Sequence, residues 1–400
     1  MRYPKRNNHG LIYAVSSRLN VHILLITRHY PPECSGGARR PMLYTKALRT
    51  LGHRVTLVTP FALDDQDCIT VSNTPINRGL NKTSINNSIT PPPWEGFKKI
   101  FRQWLFWPDP DIRWAKDVVT TVQKTAIHPD WILTTSPPES VHYAGAMLSQ
   151  KLGCPWVAEF RDTWVDFPHR DILERSNLRA KIERRIAKTY LSKCTAVVAV
   201  SKTVMAEIQN YLPKNTPQCT LSHFSDKPPP PHQFETSKFN LVHAGGFNLS
   251  DRRRNLEALL VVLQAAFIQK PNIVLHIAGP LTTEETSLAQ NSIVPTVLHG
   301  AVSLNTSRAL QAGADALVLH TPDKSHALPG KYAEYIMTDR PILYLGGGDW
   351  ISLVDNPDNL RPLATSLVNL RKGETVSRTS QFTDKDAAQL LIKFLSTTAY

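Results

Sequence analysis

Two residue pairs in this chain have the types and spacing that chemistry needs. Lys331 and Glu334 stand three apart just after Pro329-Gly330, within ALPGKYAEYIMTDRPILYLGGG, Ala327 to Gly348. The Pro-Gly turn stops whatever precedes it, and helical spacing puts the cation and the carboxylate on one face. A helix start offers unpaired N–H groups and the positive end of a dipole, and Lys331 adds a full charge beside them. That arrangement suits a nucleoside diphosphate, with the cation for phosphates and the carboxylate for ribose hydroxyls. A solvated i,i+3 ion pair explains the same spacing without any ligand. Arg161 and Asp162 form the second pair, at the carboxyl end of the apolar run PWVAEF, Pro155–Phe160. Ligands of open α/β sheets bind at the carboxyl ends of strands, which makes this pair a candidate; a buried structural Arg–Asp pair is the rival reading.

Glycines supply the close backbone approaches such a site needs. Gly36-Gly37, in RHYPPECSGGARR, join the first apolar run VHILLIT (Val21–Thr27) to a helical pattern over Met42–Leu51. Glycine lets backbone N–H groups approach a ligand closely, although the spacing is not GxGxxG and a plain tight turn accounts for it equally. A second such join is HAGGFNLSDRRRN, where Gly246, Arg252 and Arg253 precede a helical run over Leu256–Gln269. His142 fits a core histidine satisfied by its neighbours better than a substrate contact.

These residues have to be carried by something, and the pattern is α/β. Short continuous apolar runs suit strands buried on both faces of a parallel sheet. They fall at Val21–Thr27, Arg54–Thr59, Trp131–Thr135, Pro155–Phe160 and Ala196–Val200 in one half. In the other they fall at Phe239–His243, Ile273–Ala278, Val297–Gly300, Ala316–Leu319 and Ile342–Leu345. Helical stretches intervene, as right-handed crossovers require. Residues 1–20 read as a disordered extension, 21–222 as one Rossmann-like domain and 238–383 as another. The linker 223–237 carries four consecutive prolines, which neither a helix nor a central strand accepts. The last helix, within 384–400, could pack back on the first domain. A site between two domains also predicts closure about the linker.

Four hundred residues exceed one ordinary core, and 42% apolar with 20% charged residues is a globular composition. Five cysteines (34, 68, 154, 194 and 219) are scattered singly, which predicts reduced thiols in a cytoplasmic protein rather than a disulfide framework or zinc site. The net charge of +13 fits nucleic acid, an anionic membrane surface or phosphorylated substrates. No nucleic-acid-binding pattern is present, so the choice lies between the other two. Residues 64–115 read as an excursion from the sheet. Within it Phe97, Phe101 and Trp104 fall at helical spacing, with Lys98, Lys99 and Arg102 on other faces. Aromatics with basic residues on a short amphipathic helix are what a membrane interface selects; packing against its own domain is the alternative.

Seven segments in order resemble glycosyltransferase family 4, particularly bacterial enzymes that build exopolysaccharide and O-antigen units. They are ITRHYPPECSGGARR, WPDPDIRW, TTSPPESVHYAG, VAEFRDTW, VVAVSKTVMAEI, HAGGFNLSDRRRNLEALL and LPGKYAEYIMTDRPIL. The resemblance implies a GT-B fold, two Rossmann-like doubly wound domains with a cleft between them. It implies that Gly36-Gly37 and Gly246 face the donor phosphates, and that Arg252 or Arg253 stands where the family has a diphosphate-binding lysine. Arg161 would stand near a histidine that touches the donor sugar, with Asp162 as the following acid and Glu334 completing the catalytic group. Transfer of a hexose from a sugar nucleotide, UDP-linked ahead of GDP-linked, would proceed with retention and without a metal or other cofactor. The acceptor implied is a polyprenyl-diphosphate-linked glycan at the cytoplasmic membrane face. Two departures stand out: His326 occupies the position of the family's first glutamate, and Phe247 replaces an arginine. The alternatives are a degenerate, non-catalytic scaffold of the same fold and a non-hydrolysing sugar-nucleotide epimerase.

Overall fold

The computed structural model describes residues 20–33, 36–72, 106–165, 176–249, 253–322, 329–348, 350–351, 360–376 and 383–398. Residues 1–19, the candidate membrane-facing residues Phe97, Lys98, Lys99, Phe101, Arg102 and Trp104, and also Arg252 and His326 lie outside them.

Two sheets, parallel throughout, organise the chain. The first has seven strands in the order β3-β2-β1-β4-β5-β6-β7. These are β1 (His22–Ile26), β2 (Arg54–Thr59), β3 (Cys68–Thr70), β4 (Trp131–Ser136), β5 (Trp156–Phe160), β6 (Ala196–Ala199) and β7 (Gln218–Thr220). The second has six, in the order β10-β9-β8-β11-β12-β13. They are β8 (Phe239–Ala244), β9 (Ile273–Ala278), β10 (Thr296–Leu298), β11 (Ala316–His320), β12 (Ile342–Leu345) and β13 (Leu360–Pro362). Each sheet starts at a central strand, winds outward one way, then reverses. Ile23 therefore pairs with both Val55 and Trp131, and Leu241 with both Leu275 and Ala316. The expected doubly wound α/β architecture is present twice.

The apolar runs form these strands because both faces of each sheet are covered. In β1, Leu24 and Ile26 enter one core with Ile132 and Phe160, while Ile23 and Leu25 enter the opposite core with Val55 and Leu133. β11 repeats this, with Ala316 and Val318 on one side and Leu317 and Leu319 on the other. A period of two inside an unbroken apolar run is what burial on both faces demands.

The differences from sequence expectation are local. Helix α1 spans Gly36–Thr50 and contains Pro41, so it begins well before Met42. A helix over Ile112–Gln123 lies partly inside the supposed 64–115 excursion; it buries Trp114, Val118 and Val122, and the Trp114 indole donates to the Val71 carbonyl at 2.9 Å. Strands β3, β7 and β13 were not expected; each has three residues and sits at a sheet edge, too short to show a period. The cysteines at 68, 154, 194 and 219 are free. No helix among the described residues is long and apolar enough to cross a membrane.

The chain passes between the sheets twice. After β7 it runs through Ser225, which bridges to Thr383 and accepts at its carbonyl from the Asp384 N–H at 3.0 Å. The helix Asp384–Thr398 then buries Ala387, Ala388, Leu391 and Leu395 in the same core as Val21, Leu43 and Leu48.

Two buried histidines are held neutral by these cores. His142 lies 4.3 Å from the Phe160 ring with Nδ1 2.8 Å from Thr134 Oγ1, and burial lowers its pKa to about 3. His243 pairs through Nδ1 with the Val318 carbonyl at 3.0 Å and is likewise lowered to about 3, chiefly by burial. Both start from 6.5, so below that pH the unfolded chain takes protons the folded one refuses. Stability present above pH 6.5 is therefore lost as pH falls toward 3, at up to about 1.4 kcal/mol per pH unit for each histidine. Urea midpoints at pH 7 and pH 5 check this; equal midpoints would contradict it.

Candidate active site

Lys331 and Glu334, after β11, meet the start of α1, after β1, across the two halves. The helix Gly330–Tyr335 follows β11 after a loop and is only six residues long. Its dipole is therefore small, and the charge of Lys331 carries the electrostatics that the sequence assigned partly to the helix end. Tyr335 fixes this helix: its hydroxyl accepts from the Ala244 N–H at 2.9 Å and donates to the Val318 carbonyl at 3.3 Å. Lys331 and Glu334 do form an ion pair, with Nζ 3.0 Å from Oε2. It is not a solvated one, because the Glu334 side chain is 8% exposed. Gln311 Nε2 donates to the same oxygen at 3.3 Å, and Arg39 Nη1 stands 2.8 Å from Oε1. Burial pushes the Glu334 pKa up, but Lys331 and Arg39 outweigh it and hold the carboxyl below its ordinary value.

Arg39 comes from α1, which begins at Gly36-Gly37. Gly36 is exposed, and a Cβ on Gly37 would sit 3.3 Å from the His29 ring. The next residue, Arg40, points the other way, with Nε 2.9 Å from Glu159 Oε1 and Tyr44 Oη donating to that oxygen at 2.6 Å. Its remaining nitrogens donate to the Ser222 and Leu221 carbonyls at 2.7 and 2.8 Å. Arg39 Nη2 donates to Ser225 Oγ at 2.7 Å and lies 3.4 Å from Asp226 Oδ1. Asp226 also holds Arg308 at 2.5 Å and Lys46 at 3.0 Å. The passage between the sheets is thus clamped by cations from both halves.

Arg161 has a definite job. Pro41 lacks the N–H that would bond the Gly37 carbonyl four residues earlier. Arg161 Nη1 donates to that carbonyl at 2.5 Å, while Nε and Nη2 donate to the carbonyls of Ser136 and Pro137 at 2.7 and 2.9 Å. With all three nitrogens on backbone oxygens, Arg161 positions the glycine turn, rather than offering a hydrogen bond to a sugar as the sequence reading expected. Asp162 is half-buried beside it and favours its charge.

In the second half, Gly246 is buried just past β8, where Gly245 has φ +122° and a Cβ on Gly279 would strike the Gly245 carbonyl group at 2.3 Å. Arg253 is exposed, whereas Arg254 is half-buried and its charge adds a little to the lowering of the His243 pKa that burial causes. Of the two described arginines of the run, Arg254 is the one turned inward. Phe247 is fully buried, its ring 4.3 Å from that of His243, so it belongs to the core and not to the cleft. His223 stands 3.9 Å from a Cβ built on Gly330, its pKa lowered to about 3 by burial and by Arg40 and Arg161. Sequence reading missed Arg39, His223, Asp226, Arg254, Arg308 and Gln311. Only Arg39, directly after the glycine pair, and Arg254, beside the two named arginines, had a signal to follow.

The sequence of residues 35–220 matches the model of Glycosyltransferase Family 4. That stretch is similar to the family. The whole chain has the GT-B fold, as the paired sheets and the solved structures it resembles agree. Sucrose-phosphate synthase from Thermosynechococcus elongatus is 14% identical with a TM-score of 0.59, covering 95% of this chain and 96% of that one. An α,α-trehalose 6-phosphate synthase from Burkholderia multivorans is 11% identical with a TM-score of 0.59, covering 95% and 99%. A putative UDP-N-acetylglucosamine 2-epimerase from Listeria monocytogenes is 10% identical with a TM-score of 0.57, covering 94% and 96%. No curated protein matches the sequence.

The Arg161 clamp makes a quantitative prediction for this glycosyltransferase fold. Arg161→Ala should destabilise by about 1–3 kcal/mol for each carbonyl left unpaired. Pro41→Ala restores an N–H facing the Gly37 carbonyl. A double-mutant cycle by urea denaturation should therefore show a coupling of about 1 kcal/mol between the two substitutions. Strict additivity would break the assignment.

Proposed function

We propose that the protein is a retaining glycosyltransferase that moves a hexose from a sugar nucleotide to a lipid-linked glycan acceptor in surface polysaccharide synthesis. One arrangement carries this reading. Lys331 and Glu334, beyond the carboxyl end of β11, face the glycine-led helix α1, beyond the carboxyl end of β1. In open α/β sheets that is where ligands bind.

The chemistry follows from charge. Transfer breaks the bond from the anomeric carbon to the diphosphate oxygen, and the electron pair leaves with the diphosphate. Lys331 stabilises the charge that develops there, and Glu334 accepts from the ribose hydroxyls. The acceptor hydroxyl forms the new bond on the same face of the sugar and passes its proton to the departing diphosphate oxygen. The reading requires neither a metal nor another cofactor, and UDP-sugars are the first donors to try, ahead of GDP-sugars. The net charge of +13 and the aromatic, basic sequence over 94–107 support action at an anionic membrane surface on the cytoplasmic side, on a polyprenyl-diphosphate-linked acceptor. The likeness to an epimerase fold favours one other reading, a sugar-nucleotide epimerase, which would turn over its nucleotide sugar without any acceptor.

A thermal-shift screen with UDP, GDP, ADP, CMP and their sugar conjugates tests the donor site. A ligand at a hundredfold excess over Kd should add about 2.7 kcal/mol of apparent stability. Lys331→Ala should abolish the shift and lower kcat by about 10²–10³, as loss of one charge-stabilising donor does elsewhere. A wild-type protein that responds to no nucleotide would defeat the proposal.

A further inference from the structure

Arg39 is the least satisfied cation in the cleft. Its side chain is 12% exposed, yet Nε and Nη1 have no hydrogen-bond partner, although Nη1 lies 2.8 Å from Glu334 Oε1. Arg40 next to it has every nitrogen engaged. A guanidinium normally meets an oxyanion through two parallel N–H bonds, and here that fork is only partly used. The group is nonetheless fixed, because Nη2 is tied to Ser225 and Asp226.

The surroundings favour a further anion. One carboxylate, Glu334, bridges Arg39 through one oxygen and Lys331 through the other. The two cations therefore already share one two-oxygen anion. Around them, the four cations Arg39, Lys331, Arg308 and Lys46 meet the three carboxylates Glu334, Asp226 and Asp384, which leaves an excess of one positive charge.

We infer that Arg39 is a donor-binding residue: a cation from the first half of the chain that takes the donor's diphosphate and is held by Glu334 until the donor arrives. This rests on the nucleotide-sugar reading above and adds to it a ligand from the opposite side of the cleft. On binding, the diphosphate replaces the Glu334 carboxylate at both Arg39 and Lys331. Glu334 is then free to accept from ribose hydroxyls. Donor binding and release of this cross-cleft contact are one exchange of anions, with no bond made or broken.

The test compares Glu334→Gln with the double variant Glu334→Gln/Arg39→Gln. Removing both partners avoids leaving a buried carboxylate without its cation. Isothermal calorimetry with inorganic pyrophosphate and with UDP and GDP gives the affinities, and urea denaturation checks folding. Pyrophosphate should bind Glu334→Gln more tightly than wild type, because the competing carboxylate is gone. The double variant should then bind it about ten- to a hundredfold more weakly than Glu334→Gln, the loss of one or two charge-assisted hydrogen bonds. Equal affinity in the two variants overturns the inference while leaving the donor site standing. Failure of the wild type and Glu334→Gln to bind any of the three ligands removes the donor site itself, and the inference with it.

Discussion

A carboxylate taken out of water needs a cation beside it, and two buried carboxylates set the geometry of this cleft. Glu159 lies inside the first sheet and Glu334 beside the second, and both keep a lowered pKa although burial alone would raise it. Lys331 compensates Glu334 from its own helix, and the other compensating charges come from adjacent residues of one helix. Successive helical residues are about 100° apart, so Arg40 turns down to Glu159 while Arg39 turns out to Glu334. The first contact fixes the rotation of α1 on its own sheet. The second brings that helix against the other half. Neither arginine could move along the sequence without breaking one of these pairings.

The start of α1 is bound by a second constraint. A proline inside a helix leaves a carbonyl one turn earlier without its donor, and a buried orphan of that kind is costly. Here the orphan belongs to Gly37, and a guanidinium from the end of β5 fills the gap. The same guanidinium reaches the turn after β4, so three loops at the strand ends are held by one side chain. Order at the rim of the cleft thus comes from polar groups satisfying backbone oxygens, while the apolar cores below need only cover the two faces of each sheet.

Most of the architecture was legible because it rests on local pattern. Five-residue apolar runs and the glycines between strand and helix identified the central strands of both sheets. The pairing of Lys331 with Glu334 followed from spacing, and the last helix was open to packing back on the first domain, as it does. What escaped had non-local causes. Nothing near Glu334 announces that Arg39 joins Lys331 in compensating it, and nothing near Arg161 announces that a distant proline needs it. Between Arg253 and Arg254, which one lies nearer His243 depends on how the turn is wound. Arg308 and Gln311 sit in an ordinary helix, Leu304–Gly313, and gain meaning only from what packs against them.

The paired crossing at Ser225 and Thr383 bears on how the halves can move. A single connecting chain would act as a swivel, leaving one half free to twist as well as swing. Here Ser225 is bridged to Thr383, and Asp226 beside it is anchored by arginines from both halves, which makes a strap instead. A strap folds easily across its width and resists torsion. Any swing of one half on the other would thus bend this connection rather than twist it, and would keep the facing surfaces in one alignment.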